Sequence, residues 1–242
     1  WGKKGCNCCN HHVGRFLPYN GGWKNSPALM RVLDVVGSDL KNFECPWCGA
    51  HDRERHLLMY INAIDLFNSI QTMKILHFAP ERRLSTLISN KNPKLYIKCD
   101  LFPSSVDVRK IDILDIEYPD KKFDIVIANH ILEHVDDEFK ALSEIRRILK
   151  PDGLTILQTP FSPKLQKTWQ DEGIDNDEAR RQAYGQKDHV RLFGKDIFLR
   201  IEKAGFKSLV LWHKDTFPED LNNKFAVNVN EPFFLFKRKD KG

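Results

Sequence analysis

A short apolar segment in the middle of the chain is followed by polar residues. The segment runs from Phe123 to Ala128 and contains three β-branched residues in succession. A run this short, bounded by polar residues, predicts a buried strand of a parallel sheet. Asn129 and His130 follow at the carboxyl end of this strand, which is where open α/β sheets bind ligands.

The spacing of apolar residues then changes to that of a helix. After Asp136, which we predict as the N-cap, they recur on one helical face at Phe139, Leu142, Ile145 and Leu149. Pro151 and Gly153 end this helix, and residues 155–159 predict the next strand. The whole is a strand, a polar tip, a helix and a second strand.

The same alternation continues on both sides of this unit. Further strands are predicted over residues 74–79, 94–99, 107–111, 207–213 and 232–238, and helices over 52–69 and 195–204. Strands that alternate with helices indicate an α/β fold, with a mostly parallel sheet covered by helices on both faces. The last strand is expected to pair antiparallel.

Three regions follow from these elements. Residues 74–242 form the main domain, residues 52–73 a linking helix, and residues 1–51 a cysteine-rich region. Within the main domain, residues 161–191 are irregular and polar, and a segment of this length is usually a functional lid.

Composition and charge narrow the class of protein. The 242 residues suit one domain with an appendage, and 38 basic against 33 acidic residues give a net charge of +5. This charge permits an acidic partner without requiring one. No apolar run approaches about 18 residues, so no membrane span is predicted. No signal peptide is visible, and we expect a cytoplasmic location.

Cysteines are concentrated near the start of the chain. Cys45 and Cys48 form a C-x-x-C turn followed by a glycine, and Cys6 and Cys9 form a second such pair. Two such pairs predict a zinc-ribbon-like site in which Zn²⁺ is structural, because four thiolates leave no open position. Other residues of the first cluster are alternative ligands: Cys8, His11 and His12.

These elements as a set resemble the class I S-adenosylmethionine-dependent methyltransferases. The resemblance covers about Lys74 to Arg238, and its best local match is FDIVIANHILEHV…EIRRILKPDG. It implies a Rossmann-like fold with seven strands and S-adenosyl-L-methionine as cofactor. Asp100, about 20 residues beyond the first strand, is placed to bind ribose hydroxyls. Asp112 falls where the family has an acid beside the adenine.

The first motif of that family departs from its usual form here. An acid followed by G-x-G-x-G is replaced by residues 77–81, HFAPE, with His77 in the place of the acid and Ala79 in that of the first glycine. Ala79 adds one methyl group where glycine allows close approach. The residues predicted to contact the cofactor are His77, Ala79, Pro80, Asp100, Leu101, Asp112, Ile113 and Asn129.

The whole chain also resembles a narrower bacterial group. Its four motifs are a CPxCG turn followed by R-x-R, LHxAPE, NHxLEHV and GQxDHVRxxG, and all four occur here. Members of that group are associated with surface-polysaccharide genes, which implies a small-molecule or glycan acceptor.

Three residues are candidates for catalysis. Transfer to a hydroxyl needs a base, and His130 at the strand tip is the first candidate, with His189 after the lid as the second. Arg191 could hold an anionic group of the acceptor. For His189 and Arg191 the alternative role is a structural link between lid and sheet. Trp169 could stack on a substrate ring or anchor the lid.

Two other functions remain open. One is a zinc-ribbon methyltransferase that binds RNA, with a basic face formed by Lys3, Lys4, Arg53, Arg55 and a tail that ends at Lys241. The mild net charge and the acidic lid count against it. The other is a non-catalytic scaffold with a methyltransferase fold.

Overall fold

The chain begins with a small antiparallel pair of strands. The structure is a computed structural model that describes residues 4–240, apart from the side chains of Trp23, Asp220, Asn222 and Asn223. Lys3 and Lys241, which the RNA-binding hypothesis uses, lie outside the described residues. The first elements are β1 (Lys4–Gly5), β2 (His12–Val13), a 3-10 turn (Gly22–Asn25) and α1 (Ala28–Val32).

A sheet of seven strands forms the centre of the molecule. The strands are β3 (Lys74–Phe78), β4 (Leu95–Asp100), β5 (Val108–Lys110), β6 (Phe123–Ala128), β7 (Leu149–Ile156), β8 (Phe206–Ser208) and β9 (Leu235–Arg238). Their order is β5-β4-β3-β6-β7-β9-β8. The first five in this order pair in parallel, whereas β9 is antiparallel to β7 and β8. The predicted mostly parallel sheet is confirmed.

Helices cover both faces of the sheet. They are α2 (Asp52–Ala63), α3 (Leu66–Ser69), α4 (Arg82–Ser89), α5 (Glu138–Ile148), α6 (Asp177–Tyr184), α7 (Ile197–Lys203), α8 (His213–Thr216) and α9 (Glu219–Phe225). Ile125 and Ile127 of β6 pack with buried residues of α2, α3 and α4. Val126 and Ala128 point the other way and pack with those of α5 and α7. Within the described residues, none of these helices is long and apolar enough to cross a membrane.

Two helix boundaries differ from the prediction. The helix predicted over residues 52–69 is divided, because Asp65 takes a left-handed backbone with φ 54° between α2 and α3. The N-cap of α5 is Asp137 rather than Asp136. The Asp137 carboxylate accepts a hydrogen bond from the Lys140 N–H at 2.9 Å, and Asp136 lies one residue too early for this contact.

Two strand boundaries also differ. β7 begins at Leu149 instead of residue 155, because Leu149 already pairs with Phe123 across a register shift. The strand predicted over residues 207–213 ends at Ser208. Beyond it, pairing continues as an isolated bridge between Leu211 and Phe233.

The predicted lid contains a helix that the sequence did not indicate. The N-cap of α6 is Asn176, which accepts a hydrogen bond from the Ala179 N–H at 2.9 Å, and the helix ends at Gly185 with φ 96°. Its buried residues are Ala183 and Tyr184. So few apolar residues give no helical pattern, and the caps define this helix instead.

Candidate active site and metal centre

The turn after β3 takes a backbone conformation that favours glycine. Ala79 has a φ of 42°, and its side chain is exposed. Its N–H donates to the carbonyl oxygen of Cys99 in β4 at 2.8 Å. Alanine keeps the turn that glycine would make, at a cost of about 1–2 kcal/mol. The departure from the G-x-G pattern therefore leaves the backbone path of this turn intact.

Behind this turn lies a hydrogen-bonded network of buried and half-buried side chains. One ring nitrogen of His77 is 2.8 Å from the Tyr96 hydroxyl, and the other is 2.9 Å from the Glu81 carboxylate. Asn129 donates its amide to the other oxygen of Glu81 at 3.0 Å. Burial alone raises the pKa of Glu81, but the hydrogen bonds from His77 and Asn129 outweigh it and lower the pKa. An ionised carboxylate is thus fixed at the carboxyl edge of the sheet.

Two further carboxylates follow the neighbouring strands. Asp100 ends β4 and accepts a hydrogen bond from the Phe102 N–H at 2.8 Å, and Asp112 accepts one from the Leu114 N–H at 2.8 Å. In each case this contact uses Oδ1. Leu101 and Phe102 beside Asp100 are exposed, at 42% and 81%. Carboxylates next to exposed apolar side chains suit a ligand that has both hydroxyls and a flat apolar ring.

The predicted cofactor residues divide into two groups. Five lie exposed or half-buried at the edge formed by β3, β4 and the loop after β5: Ala79, Pro80, Asp100, Leu101 and Asp112. The other three are buried and support this edge from behind: His77, Ile113 and Asn129. His77 has both ring nitrogens occupied, so its role is to hold Glu81.

A cavity of about 570 Å³ adjoins this edge. Its walls come from the cysteine-rich region, the start of α2, the tip after β6 and the end of the lid. Asn129, which binds Glu81, immediately precedes His130 in the cavity wall, so the two regions meet there. The acidic, basic and histidine residues that line the cavity are Glu44, His51, Arg53, His130, Glu133 and His189.

Arg53 and Arg55, two residues apart on α2, have opposite surroundings. Arg53 lines the cavity, and its guanidinium has no hydrogen bond or ion pair within the described part of the chain. Arg55 is fully buried, and its guanidinium donates only to carbonyl oxygens. Arg53 is therefore available to an anionic ligand, and Arg55 is not available to RNA or any other ligand.

His130 and Glu133 face the cavity as an incompletely paired couple. His130 Nδ1 lies 3.4 Å from Glu133 Oε1. Nε2 of His130 and both carboxylate oxygens of Glu133 are buried without a hydrogen-bond partner among the described residues. Burial lowers the pKa of His130 well below its usual value and raises the pKa of Glu133 to about 8. Buried polar atoms without partners are rare and point to a missing ligand.

His189 joins this group from the end of the lid. Its Nδ1 is 2.9 Å from the carbonyl oxygen of Tyr184, and its Nε2 is buried without a partner in residues 4–240. Burial lowers the pKa of His189 to about 4. Its ring meets that of His134 edge-on at 4.7 Å between centroids. The predicted pair His130 and His189 is thus brought to one cavity together with Glu133, and His134 lies behind His189.

Arg191 takes the structural one of its two possible roles. It is fully buried, and its guanidinium donates to carbonyl oxygens of the loop before α5, at 2.6–2.8 Å: Leu132, Val135 and Asp136. It also lies 3.2 Å from the Glu138 carboxylate. With these contacts Arg191 ties the end of the predicted lid to the loop before α5, and the anionic group assigned to Arg191 is better placed against Arg53.

Trp169 also anchors the lid. Its backbone exchanges hydrogen bonds with Leu192 at 2.9 Å in both directions, and its ring lies edge-on to Tyr184 at 5.5 Å. The ring is half-buried. Of its two possible roles, packing of the lid is the one that these contacts favour.

The four cysteines predicted to bind zinc come together. Their four Sγ atoms all lie within 4.8 Å of one another, and none is in a disulfide: Cys6, Cys9, Cys45 and Cys48. Cys6 Sγ is 3.7 Å from Cys48 Sγ, and Cys9 Sγ is 4.0 Å from Cys45 Sγ. Four thiols in this arrangement fit a tetrahedral Zn²⁺.

The two cysteine turns share one backbone pattern. In the first, Cys6 N–H donates to His11 O and Asn10 N–H to Cys6 O; in the second, Cys45 N–H donates to Ala50 O and Gly49 N–H to Cys45 O. The residue after the second cysteine has positive φ in both turns, 59° at Asn10 and 70° at Gly49. This equivalence selects Cys6 and Cys9. The three alternative ligands lie outside the cluster: Cys8, His11 and His12.

The cysteine centre is also joined to the edge of the sheet. Arg82 and Arg83, directly after Glu81, both donate to the carbonyl oxygen of Cys48 at 2.7 Å. The Glu54 carboxylate accepts the N–H of Arg83 at 2.8 Å. A change in the second cysteine turn is therefore transmitted directly to the start of α4, next to the proposed cofactor edge.

Sequence reasoning missed the roles of Glu81 and Glu133. A signal existed for Glu81. His77 stands where the family usually has an acid, and Glu81 supplies an acid four residues later. For Glu133 the sequence offers a carboxylate between two histidines, at i−3 and i+1, which is a pattern of ligands. Nothing in the sequence indicated that Arg53 and Arg55 have different surroundings, because the difference depends on backbone carbonyl groups from other segments of the chain.

Comparisons with known proteins agree on one class. Residues 83–157 match the family described as a methyltransferase domain. A probable S-adenosylmethionine-dependent methyltransferase of Mycolicibacterium smegmatis is 34% identical over 62 residues, which are 24% of this chain and 24% of that protein. Demethylmenaquinone methyltransferase of Lactobacillus johnsonii is 37% identical over 68 residues, 27% of this chain and 28% of that protein. The chain thus spans about a quarter of the length of these curated relatives.

One solved structure supports the fold along most of the chain. It is an S-adenosylmethionine-dependent methyltransferase from Archaeoglobus fulgidus, with a TM-score of 0.53 and 16% identity over 78% of this chain and 95% of that chain. The fold is therefore the Rossmann-like methyltransferase fold, as the resemblance implied. Within this fold, residues 83–157 match the methyltransferase domain family.

Proposed function

We propose that this protein transfers a methyl group from S-adenosylmethionine to a hydroxyl of an acidic small molecule or glycan. The observation that carries this proposal is the cavity at the carboxyl end of β6, lined by an unpartnered Arg53 and by His130 with a free ring nitrogen. The narrower bacterial group that the sequence resembles adds a sugar or sugar-linked acceptor to this expectation.

The cofactor would lie along the edge that carries three carboxylates. Asp100 would bind the ribose hydroxyls and Asp112 the adenine, and Leu101 and Phe102 would pack against the flat face of the adenine. Glu81, ionised and fixed by two side chains, suits a positively charged amino group. When bound, S-adenosylmethionine supplies an electrophilic methyl group on a sulfonium.

The acceptor would lie in the cavity. The Arg53 guanidinium binds its carboxylate or phosphate, which orients the hydroxyl for in-line attack. Nε2 of His130 accepts the hydroxyl proton as the new O–C bond forms and the C–S bond breaks. Cavity walls from the lid and the cysteine-rich region exclude water from this position.

The cysteine centre would hold Zn²⁺ through Cys6, Cys9, Cys45 and Cys48, and its role is structural. All four positions of a tetrahedral ion are occupied by thiolates, so none is left for substrate. The ion would fix the wall of the cavity and, through the Cys48 carbonyl, the residues after Glu81.

The first test is calorimetric titration of the purified protein with S-adenosylmethionine and S-adenosylhomocysteine, with zinc content measured on the same sample. Micromolar binding and about one zinc per chain are expected. Acceptors are then screened among sugars and nucleotide sugars with acidic groups. Folded, zinc-containing protein that binds neither cofactor form would refute the enzymatic proposal and favour the scaffold.

Two variants separate binding from catalysis. Asp100→Ala should weaken cofactor binding at least tenfold, because the ribose hydroxyls lose a charged acceptor. His130→Ala should leave cofactor binding unchanged and lower kcat by about 10²-fold or more. Normal affinity in the first variant or normal turnover in the second would remove that residue from the site.

A further inference from the structure

Glu133, His134 and His189 converge on one point at the edge of the cavity. One ligand atom from each side chain lies within 4.8 Å of the other two. Two imidazoles and one carboxylate are a common ligand set for first-row transition ions. Nothing in the proposed methyl transfer uses His134, and the buried Glu133 carboxylate has only the 3.4 Å contact with His130 Nδ1 and no hydrogen bond among the described residues.

The hydrogen bonds of the two histidines leave the same nitrogen free. His134 Nδ1 lies 3.3 Å from both the carbonyl oxygen and the carboxylate of Asp188. His189 Nδ1 lies 2.9 Å from the carbonyl oxygen of Tyr184. Because oxygen atoms accept from Nδ1, that nitrogen carries the proton and Nε2 has the lone pair. An oxygen acceptor at the second nitrogen is the usual arrangement of histidine ligands.

The burial of these groups points to the same conclusion. Glu133 is 1% exposed and His189 is 4% exposed, yet both oxygens of the first and Nε2 of the second have no hydrogen-bond partner within residues 4–240. Leaving such atoms unpaired inside a protein is unfavourable. A bound ion would take one ligand atom from each of the three side chains and so give Glu133 and His189 the partner that they lack.

We propose that Glu133, His134 and His189 bind a divalent first-row transition ion that holds the acceptor hydroxyl. The ligand atoms of such an ion lie about 3–3.5 Å apart, so the side chains must close by ~1 Å. Three protein ligands leave positions open for the acceptor, as in catalytic metal sites. The role in catalysis rests on the proposed methyl transfer, whereas ion binding does not.

The ion would make the hydroxyl easier to deprotonate. A coordinated hydroxyl is more acidic, so its proton passes to His130 while its oxygen attacks the methyl carbon and the C–S bond breaks. Arg53 lines the same cavity and opposes a second positive charge. Affinity for the ion alone should therefore be moderate, and an anionic acceptor should increase it.

The test is titration of the zinc-loaded protein with Co²⁺, followed by visible absorbance and calorimetry. Zinc should stay on the four cysteines, because thiolates prefer Zn²⁺ to Co²⁺. If Co²⁺ did replace zinc there, its bonds to thiolates would give a strong near-ultraviolet band. We expect one Co²⁺ per chain with a nitrogen–oxygen spectrum. The absence of such binding would overturn the proposal.

Variants identify the ligands. Glu133→Gln and His189→Ala should each weaken Co²⁺ binding at least tenfold, whereas Glu44→Gln, which removes a carboxylate from the same cavity wall, should change it less than threefold. If His189→Ala does not fold, Glu133→Gln, which preserves shape, decides the question. Binding unchanged by Glu133→Gln, or lost equally in Glu44→Gln, would refute the assigned ligands.

Cofactor binding measured on the same samples separates the two proposals. Wild-type protein that binds Co²⁺ but not S-adenosylmethionine would retain the ion site and refute the methyl transfer. Protein that binds S-adenosylmethionine but not Co²⁺ would refute the ion site and leave the proposed methyl transfer standing.

Discussion

Replacing Arg55 with lysine should destabilise the protein strongly, although the charge is kept. The guanidinium donates to five carbonyl oxygens at 2.6–3.1 Å: those of Asn42, Phe43, Ala50, Phe225 and Ala226. It also lies 3.7 Å from the centre of the Phe16 ring. A lysine ammonium has fewer donors and cannot reproduce this planar fan.

The magnitude follows from the carbonyl oxygens left behind. The Ala50 oxygen keeps the N–H of Cys45, so its loss is small. Of the other four, lysine would leave about one or two without a donor, at about 1–3 kcal/mol each. We expect Arg55→Lys to lower the free energy of unfolding by about 3 kcal/mol. For a chain of this size that lowers Tm by roughly 6–12 °C.

Thermal unfolding followed by circular dichroism measures this effect, and Arg53→Lys is the matched control. Arg53 is on the same helix with the same side chain, but it makes no hydrogen bond or ion pair in the described residues, so the control should change stability by less than about 0.5 kcal/mol. Equal Tm values for Arg55→Lys and wild type, or equal losses in both variants, would refute the reasoning.

Three further predictions concern pH, metal and the first turn. Burial and the charge of Glu231 raise the pKa of Asp52 from 3.8 to about 7. Between these two pH values the folded state holds a proton that the unfolded state releases. The free energy of unfolding therefore falls as pH rises from about 4 to 7, by up to ~4 kcal/mol. In urea titrations Asp52→Asn should gain stability relative to wild type at pH 8 but not at pH 4, and an equal difference at both pH values would contradict this. Replacing Cys45 and Cys48 with serine should release zinc and lower Tm, and full zinc retention would refute the centre. Ala79→Val should cost about 1–2 kcal/mol and weaken cofactor binding, because φ is positive there, whereas Ala79→Gly should retain binding; equal cofactor affinities of the two variants would show that the turn geometry is unimportant.

The sequence was sufficient for the sheet because the strands are short and buried on both faces. β6 matches its predicted bounds, Phe123–Ala128, since apolar residues fill both of its sides and polar residues end it. The spacing of the cysteines likewise predicted the set that the structure brings together. In both cases the deciding interactions lie between residues that a local pattern identifies.

Distant backbone explains what the sequence could not provide. Arg53 and Arg55 look alike in sequence, and they differ because Arg55 binds carbonyl oxygens of residues 42–50 and, far along the chain, of Phe225 and Ala226. Arg191 is similar, because its partners are carbonyl oxygens of the loop before α5. α6 was missed because its caps, rather than a helical apolar face, define it. The convergence of Glu133 with His189 depends on how the lid folds back.

The set of carbonyl oxygens bound by the Arg55 guanidinium has a consequence for folding during translation. Two of the carbonyl oxygens that it binds, those of Phe225 and Ala226, lie 170 and 171 residues further along the chain. A ribosome delivers the cysteine turns well before these carbonyl groups. The start of α2 therefore stays incompletely bonded until Phe225 and Ala226 have been synthesised. During that interval early capture of zinc would protect the thiols, so zinc-starved cells should accumulate misfolded nascent chains rather than unstable finished protein.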